Sequence, residues 1–120
     1  MTSLYKNKVG EVIGPEEWAM LFNDKSYQVV RQHKFSTPDQ NHTGLVSTIW
    51  TGIDLYGDLF ETMIFVDQKG ILPDLDGYKE NSATQEEAIL AHGKAMAAVA
   101  QALLTFNATQ LKGMGFGGGG

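Results

Sequence analysis

Residues 45–66 read LVSTIWTGIDLYGDLFETMIFV, and the fold turns on how this stretch is read. Leu45 to Leu55 is rich in Val, Ile, Thr and Trp, whose branched or flat side chains suit a pleated surface. Tyr56-Gly57-Asp58 supplies turn residues, and Phe60 to Val66 forms a second run of the same kind. Two such runs so close together predict an antiparallel hairpin. Alternation places Val46, Thr48, Trp50 and Gly52 on one face of the first strand and Ser47, Ile49, Thr51 and Ile53 on the other. In the second strand Phe60, Thr62, Ile64 and Val66 oppose Glu61, Met63 and Phe65. Neither face is cleanly polar, whereas a sheet with one wet side alternates more strictly. Both faces are therefore expected to be covered. A long helix takes one, and the N-terminal helix, a second subunit or a ligand takes the other.

Outward from the hairpin, the clearest signal is a helix over residues 84–106. Thr84-Gln85-Glu86-Glu87 matches a capping box, in which a hydroxyl and a carboxylate satisfy free backbone N–H groups at the helix start. Beyond it Ala88, His92, Ala95, Met96, Val99, Leu103 and Phe106 fall on one stripe. Gly93, Ala97 and Ala100 make a second surface of small residues that admits another backbone closely. Upstream, Gly14-Pro15-Glu16-Glu17 starts a short helix over 15–23, with proline preorganised for the first turn and two acids at the positive end of the dipole. Trp18, Leu21 and Phe22 form its apolar face. Tyr27 to Phe35 alternates, with Tyr27, Val29, Arg31, His33 and Phe35 on one side, and predicts a strand over 27–35. Residues 36–44 form a polar loop, residues 71–80 are irregular with room for one short strand, and the first ten residues suit a short edge strand. The expected architecture is α+β: a small antiparallel sheet covered by the C-terminal helix. Residues 1–112 make one domain, and residues 113–120 form a flexible glycine-rich tail.

Size and composition set bounds on function. A chain of 120 residues is of ordinary single-domain length. Nine basic residues against 14 acidic ones give a net charge of -5, with Arg31 the single arginine. Such a chain is poorly suited to neutralising many phosphates, so general nucleic-acid coating and binding to anionic membrane surfaces are disfavoured. The absence of cysteine excludes disulfides and thiolate sites and fits a reducing compartment. The N-terminus lacks the apolar run of a signal peptide, and Ala95 to Leu111 reads as too polar and slightly short to span a bilayer. The expected location is cytoplasmic.

No residue set amounts to a catalytic signature. His33, His42 and His92 are scattered without metal-ligand spacing, so no metal and no cofactor are expected. Asp54 and Glu61, with Asp58 nearby, flank the hairpin turn; as cross-strand neighbours they would pair as acid and base or hold a divalent ion, and as ordinary turn residues they are solvated charges. Trp50 beside Gly52 reads either as a flat stacking platform for a nucleotide-like ligand or as a core tryptophan next to a glycine bulge. His92 reads as a ligand contact or as a hydrogen-bonded core histidine. Arg31 reads as the partner of a phosphate or as half of an ion pair. The candidate ligand-binding residues are Arg31, Thr48, Trp50, Glu61 and His92.

Val46-Ser47-Thr48-Ile49-Trp50-Thr51-Gly52-Ile53-Asp54, Leu59-Phe60-Glu61-Thr62-Met63-Ile64-Phe65, Tyr78, and the helix start Ser82 to Ala88 ending at Ala91-His92-Gly93 together resemble a group of small bacteriophage and prophage proteins. Those proteins carry a "VSTVWLGLD" strand, a "FETMVF" strand and a "YxTxEEAxxGH" helix start in the same order. The segment Gly14 to Trp18 is also similar, so the resemblance covers roughly residues 5 to 100. The loop between the strands is shorter here, and the tyrosine-to-helix spacing longer. The group is mostly of unknown function, so the resemblance implies a viral origin more than an activity. The expectation is a non-enzymatic phage accessory protein in the host cytoplasm, acting as a homo-oligomer that sequesters a small nucleotide-type defence signal or inhibits a host protein. The alternative is a virion structural or assembly component.

Overall fold

The computed structural model describes residues 4–113, with side chains through residue 106. Of the tail expected to be flexible, residues 113–120, Gly113 closes the long helix and residues 114–120 lie outside the described residues. The hairpin forms as expected: β2 (Thr43–Trp50) pairs antiparallel with β3 (Phe60–Val66). Flanking strands β1 (Val29–Ser36) and β4 (Lys79–Ser82) complete a four-stranded antiparallel sheet in the order β1-β2-β3-β4. A long helix, α3 (Gln85–Gly113), lies across one face, and two short helices, α1 (Pro15–Asn23) and α2 (Lys25–Gln28), precede the sheet. The class is α+β.

Several boundaries differ from the sequence reading, each for a local reason. β2 ends at Trp50, because Gly52 takes a positive φ of 70° that turns the chain away from the sheet. A Cβ there would sit 2.3 Å from the Trp50 ring and 2.8 Å from Trp18, so only glycine fits. The chain leaving the turn bridges back through Ile53 to Tyr5, and residues 4–10 contribute isolated bridges rather than the expected edge strand. Tyr27 and Gln28 belong to α2, which Asp24 starts by accepting a bond from the Ser26 N–H. A register shift between Val29 and Arg31 then moves Val29 to the other face, leaving Arg31, His33 and Phe35 in register with Thr48, Val46 and Gly44.

The capping box is present. The Glu87 N–H donates to the Thr84 hydroxyl, and the Glu87 carboxylate accepts from the Ala83 N–H. Ala88, Ala91, His92, Ala95, Val99 and Ala102 are buried, so the stripe read from the sequence does face the sheet, with Ala91 and Ala102 added. The inner face supplies Val46, Thr48, Trp50, Phe60, Thr62 and Ile64, all buried. Gln85–Phe106, which begins ten residues before the stretch read from the sequence, is long and apolar enough to cross a bilayer by length and composition alone, with an 18-residue window of mean hydropathy 1.3. An alanine-rich helix lying on a sheet reaches that value through its buried stripe together with exposed leucines.

The expectation for the second face of the sheet is not met by the chain itself. α1 packs Trp18, Leu21 and Phe22 around Trp50, Phe60 and Ala88 at the end of the inner face. Among the described residues no element lies on the outer face, where Leu45, Ile49 and Met63 are half-buried and Phe65 is 48% exposed. The Gly52→Ala variant is expected to lose roughly 2 kcal/mol or more in denaturant unfolding, through strain and displacement of Trp50. Thr84→Ala, which removes only the cap, is expected to lose about 1 kcal/mol.

Candidate functional site

One cross-strand row of the inner face is polar. Register aligns Arg31 with Thr48, Thr48 with Thr62, and Thr62 with Glu80, so the row runs through all four strands. His92 descends onto this row from α3. Its Nδ1 lies 2.8 Å from the Thr48 hydroxyl, which lies 2.7 Å from the Thr62 hydroxyl. Its Nε2 lies 2.8 Å from Nδ1 of His33, on the β1 edge. The four side chains make one continuous hydrogen-bonded chain from a solvent-exposed strand to the centre of the core.

The chemistry of that chain follows from what each group can donate. A neutral imidazole carries one N–H. If His92 donates from Nδ1 to Thr48, its Nε2 accepts from His33, and the hydroxyl protons point along the row toward β4. In the other tautomer every bond reverses. In the first direction the last hydroxyl, on Thr62, needs an acceptor, and Glu80 stands opposite it in register with its Oε2 buried and, among the described residues, without a hydrogen-bond partner. The other Glu80 oxygen accepts from Lys94 at 3.0 Å. Both oxygens of Glu80 thus face different tasks, one toward the α3 lysine and one inside the structure.

His92 is 2% exposed. Burial pushes its pKa below the ordinary 6.5, and the neighbouring His33 and then Arg31 act in the same direction. The row splits the core into two apolar parts. Val46, Ile64, Leu72, Leu75, Ala95 and Val99 lie on one side, and Trp50, Phe60, Leu59 and Ala88 on the other.

Three of the five candidate residues, Arg31, Thr48 and His92, are thus brought together. Trp50 is on the same face but 0% exposed, its ring edge-on to Tyr27 and its N–H donating to the Lys6 carbonyl. It offers no open stacking surface, and its role is the core tryptophan beside a glycine turn. Glu61 is on the opposite face, between Ile49 and Asn81 in register and 3.5 Å from Lys79. It lines a shallow groove of about 370 Å³ with Tyr56, Asp58 and Lys79. Asp54 is not its cross-strand neighbour. The Lys6 ammonium and the Gly57 N–H bind Asp54 and hold its carboxyl below the usual range. Among the described residues no group of three or more His, Asp or Glu side chains is placed to hold a metal ion.

Sequence reasoning missed Thr62, His33 and Glu80. The available signal was a threonine at the middle of each hairpin strand, flanked two residues away by large apolar side chains on both sides. Searches against protein-family models, curated proteins and solved structures found no match to this chain.

The lowered pKa gives a pH dependence of defined sign. Folding keeps the proton off His92, so the unfolded chain binds more protons between the lowered pKa and 6.5. The stability His92 contributes is therefore complete above pH 6.5 and is lost as pH falls through the lowered value. Thermal melts between about pH 7 and pH 5 are expected to show Tm falling with pH, in the range where histidines titrate. His92→Asn is expected to be less stable at neutral pH and to show a shallower slope across the same range.

Proposed function

We propose that this chain is a phage accessory protein that acts by binding other proteins, and that it does so as a homodimer joined through α3. The observation that carries this reading is the outward face of that helix. Leu90, Gly93, Ala97, Ala100 and Leu104 recur at alternating spacings of three and four, the pattern of a helix–helix seam. All five are exposed, Leu90 by 70% and Leu104 by 66%. The seam lies directly opposite Ala95, which is buried against the sheet.

Gly93 adds a second line of support. A glycine inside a helix costs roughly 0.5–1 kcal/mol relative to alanine. Among the described residues, apart from its chain neighbours and its own helix backbone, nothing lies within 4 Å of where its Cβ would be, so no such contact accounts for the missing methyl group. A second helix approaching closely would use that space. In an antiparallel pair centred on Ala97, Leu90 of one copy meets Leu104 of the other, over the small residues between them. The surface is self-complementary, as a twofold interface requires. The similarity of the hairpin and helix-start motifs to small phage proteins supports the viral part of the reading, and with it a place in the host cytoplasm. Burial of Trp50 favours a protein partner over a stacked nucleotide.

Light scattering on the purified protein is expected to give twice the chain mass of 13.1 kDa. Ala97→Glu places two carboxylates at the centre of the seam and is expected to give the monomer mass with little change in Tm, because the side chain is exposed. A monomeric parent protein at high concentration would overturn the dimer. Open-ended assemblies would favour a virion assembly role instead.

A further inference from the structure

We infer that the free edge of β1 is a docking strand for an extended acidic segment of another protein, added to the sheet beside β1. This surface is separate from the α3 seam, and the inference stands without the dimer.

The first support is the backbone. β1 is an edge strand of eight residues, twice the length of the four-residue β4 at the other edge. At the loop end, the Thr37 N–H donates to the His42 carbonyl. Bonded and non-bonded pairs alternate along an antiparallel ladder, so Phe35, His33 and Arg31 turn their backbone groups toward β2. Gln32, Lys34 and Ser36 turn theirs outward. Among the described residues nothing pairs with those outward groups. Such a row is the template on which an extended peptide adds as a strand.

The second support is charge, and it selects the occupant. The chain is acidic overall, at -5, yet residues 25–38 contain Lys25, Arg31 and Lys34 and no Asp or Glu. β2, the neighbouring strand, has no acidic residue either. Elsewhere Lys6, Lys79 and Lys94 each sit against a carboxylate, Asp54, Glu61 and Glu80 respectively. Arg31 and Lys34 are exposed, and among the described residues neither has an ion-pair partner. A second copy of this chain is a poor occupant. Self-pairing must set outward-turned residues opposite one another, so a pair centred on Lys34 places lysine against lysine, and any neighbouring register gathers Arg31 and Lys34 of both copies on one short ladder with no acid between them.

An acidic strand reverses that sign. Arg31 projects to the α3 side of the sheet and Lys34, three residues on, to the open side. A matching segment therefore carries two acidic residues three positions apart, one for each face, with β-forming residues between them. Main-chain bonds to Gln32, Lys34 and Ser36 would supply affinity, and the two charges would supply choice of partner.

The test uses the full chain and a fluorescein-labelled peptide, Thr-Val-Glu-Val-Thr-Asp-Val-Thr, against the same peptide with lysine at both acidic positions. Fluorescence anisotropy is expected to show saturable binding of the acidic peptide below about 1 mM, weakening as salt is added. The lysine peptide is expected to bind at least tenfold more weakly. The double variant Arg31→Glu, Lys34→Glu should lose at least tenfold in affinity while keeping the parent circular dichroism spectrum, and the milder Lys34→Gln should lose less. Lys79→Glu, at the far side of the sheet, should bind as the parent does. In hydrogen-exchange NMR the amides of Gln32, Lys34 and Ser36 should gain protection. Failure of the acidic peptide to saturate, equal binding of the two peptides, or protection gained at β4 instead of β1 would overturn the inference.

Discussion

The hydrogen bond between His92 and Thr48 is the contact on which the rest of the structure depends. An alanine-rich helix face is nearly smooth, and apolar contact alone permits it several positions along a sheet. A buried imidazole is less tolerant, because its two nitrogens need partners at fixed distances. Thr48 and His33 meet those needs from adjacent strands, and Thr62 extends the chain to a third. One register of helix on sheet satisfies all of them. Losing any member would strand the others in the core, at a cost of about 1–3 kcal/mol for each unsatisfied group.

That register decides which surfaces remain outside. With His92 turned down onto the row, Leu90, Gly93, Ala97 and Leu104 are turned up, away from the sheet. The same seating leaves the sheet one-sided, since α1 is occupied around Trp50 and does not reach the far face. The β1 edge stays open beside His33, so the buried row begins where a docked segment would lie. Binding surfaces and core are thereby coupled through one set of contacts.

Much of this was legible in the sequence, for reasons that differ by element. The hairpin and α3 were visible because their patterns are local: β-branched runs in residues 45–66, a capping box at Thr84, a helical stripe from Ala88 onward. The end of β2 was not visible, since it depends on Gly52 meeting the rings of Trp50 and Trp18 in space. Tyr27 reads as a strand residue by alternation, yet the Asp24 cap draws it into a helical turn. Arg31, Thr48 and His92 were singled out separately, but the row that joins them depends on strand register, which no local pattern fixes. Glu61 was grouped with them because parity within one strand is readable, while the face shared between strands is not. Its neighbours turned out to be Lys79 and Asn81 on the other side of the sheet.

The central claim is that His92 is a neutral, doubly hydrogen-bonded imidazole joining α3 to β1 and β2. Nitrogen NMR of the histidine rings across a pH titration tests it most directly. The claim predicts that His92 titrates below its ordinary pKa of 6.5, with shifts of both ring nitrogens marking one as donor and the other as acceptor. An imidazole that titrates at or above 6.5, or that exchanges freely between tautomers as in water, would contradict it.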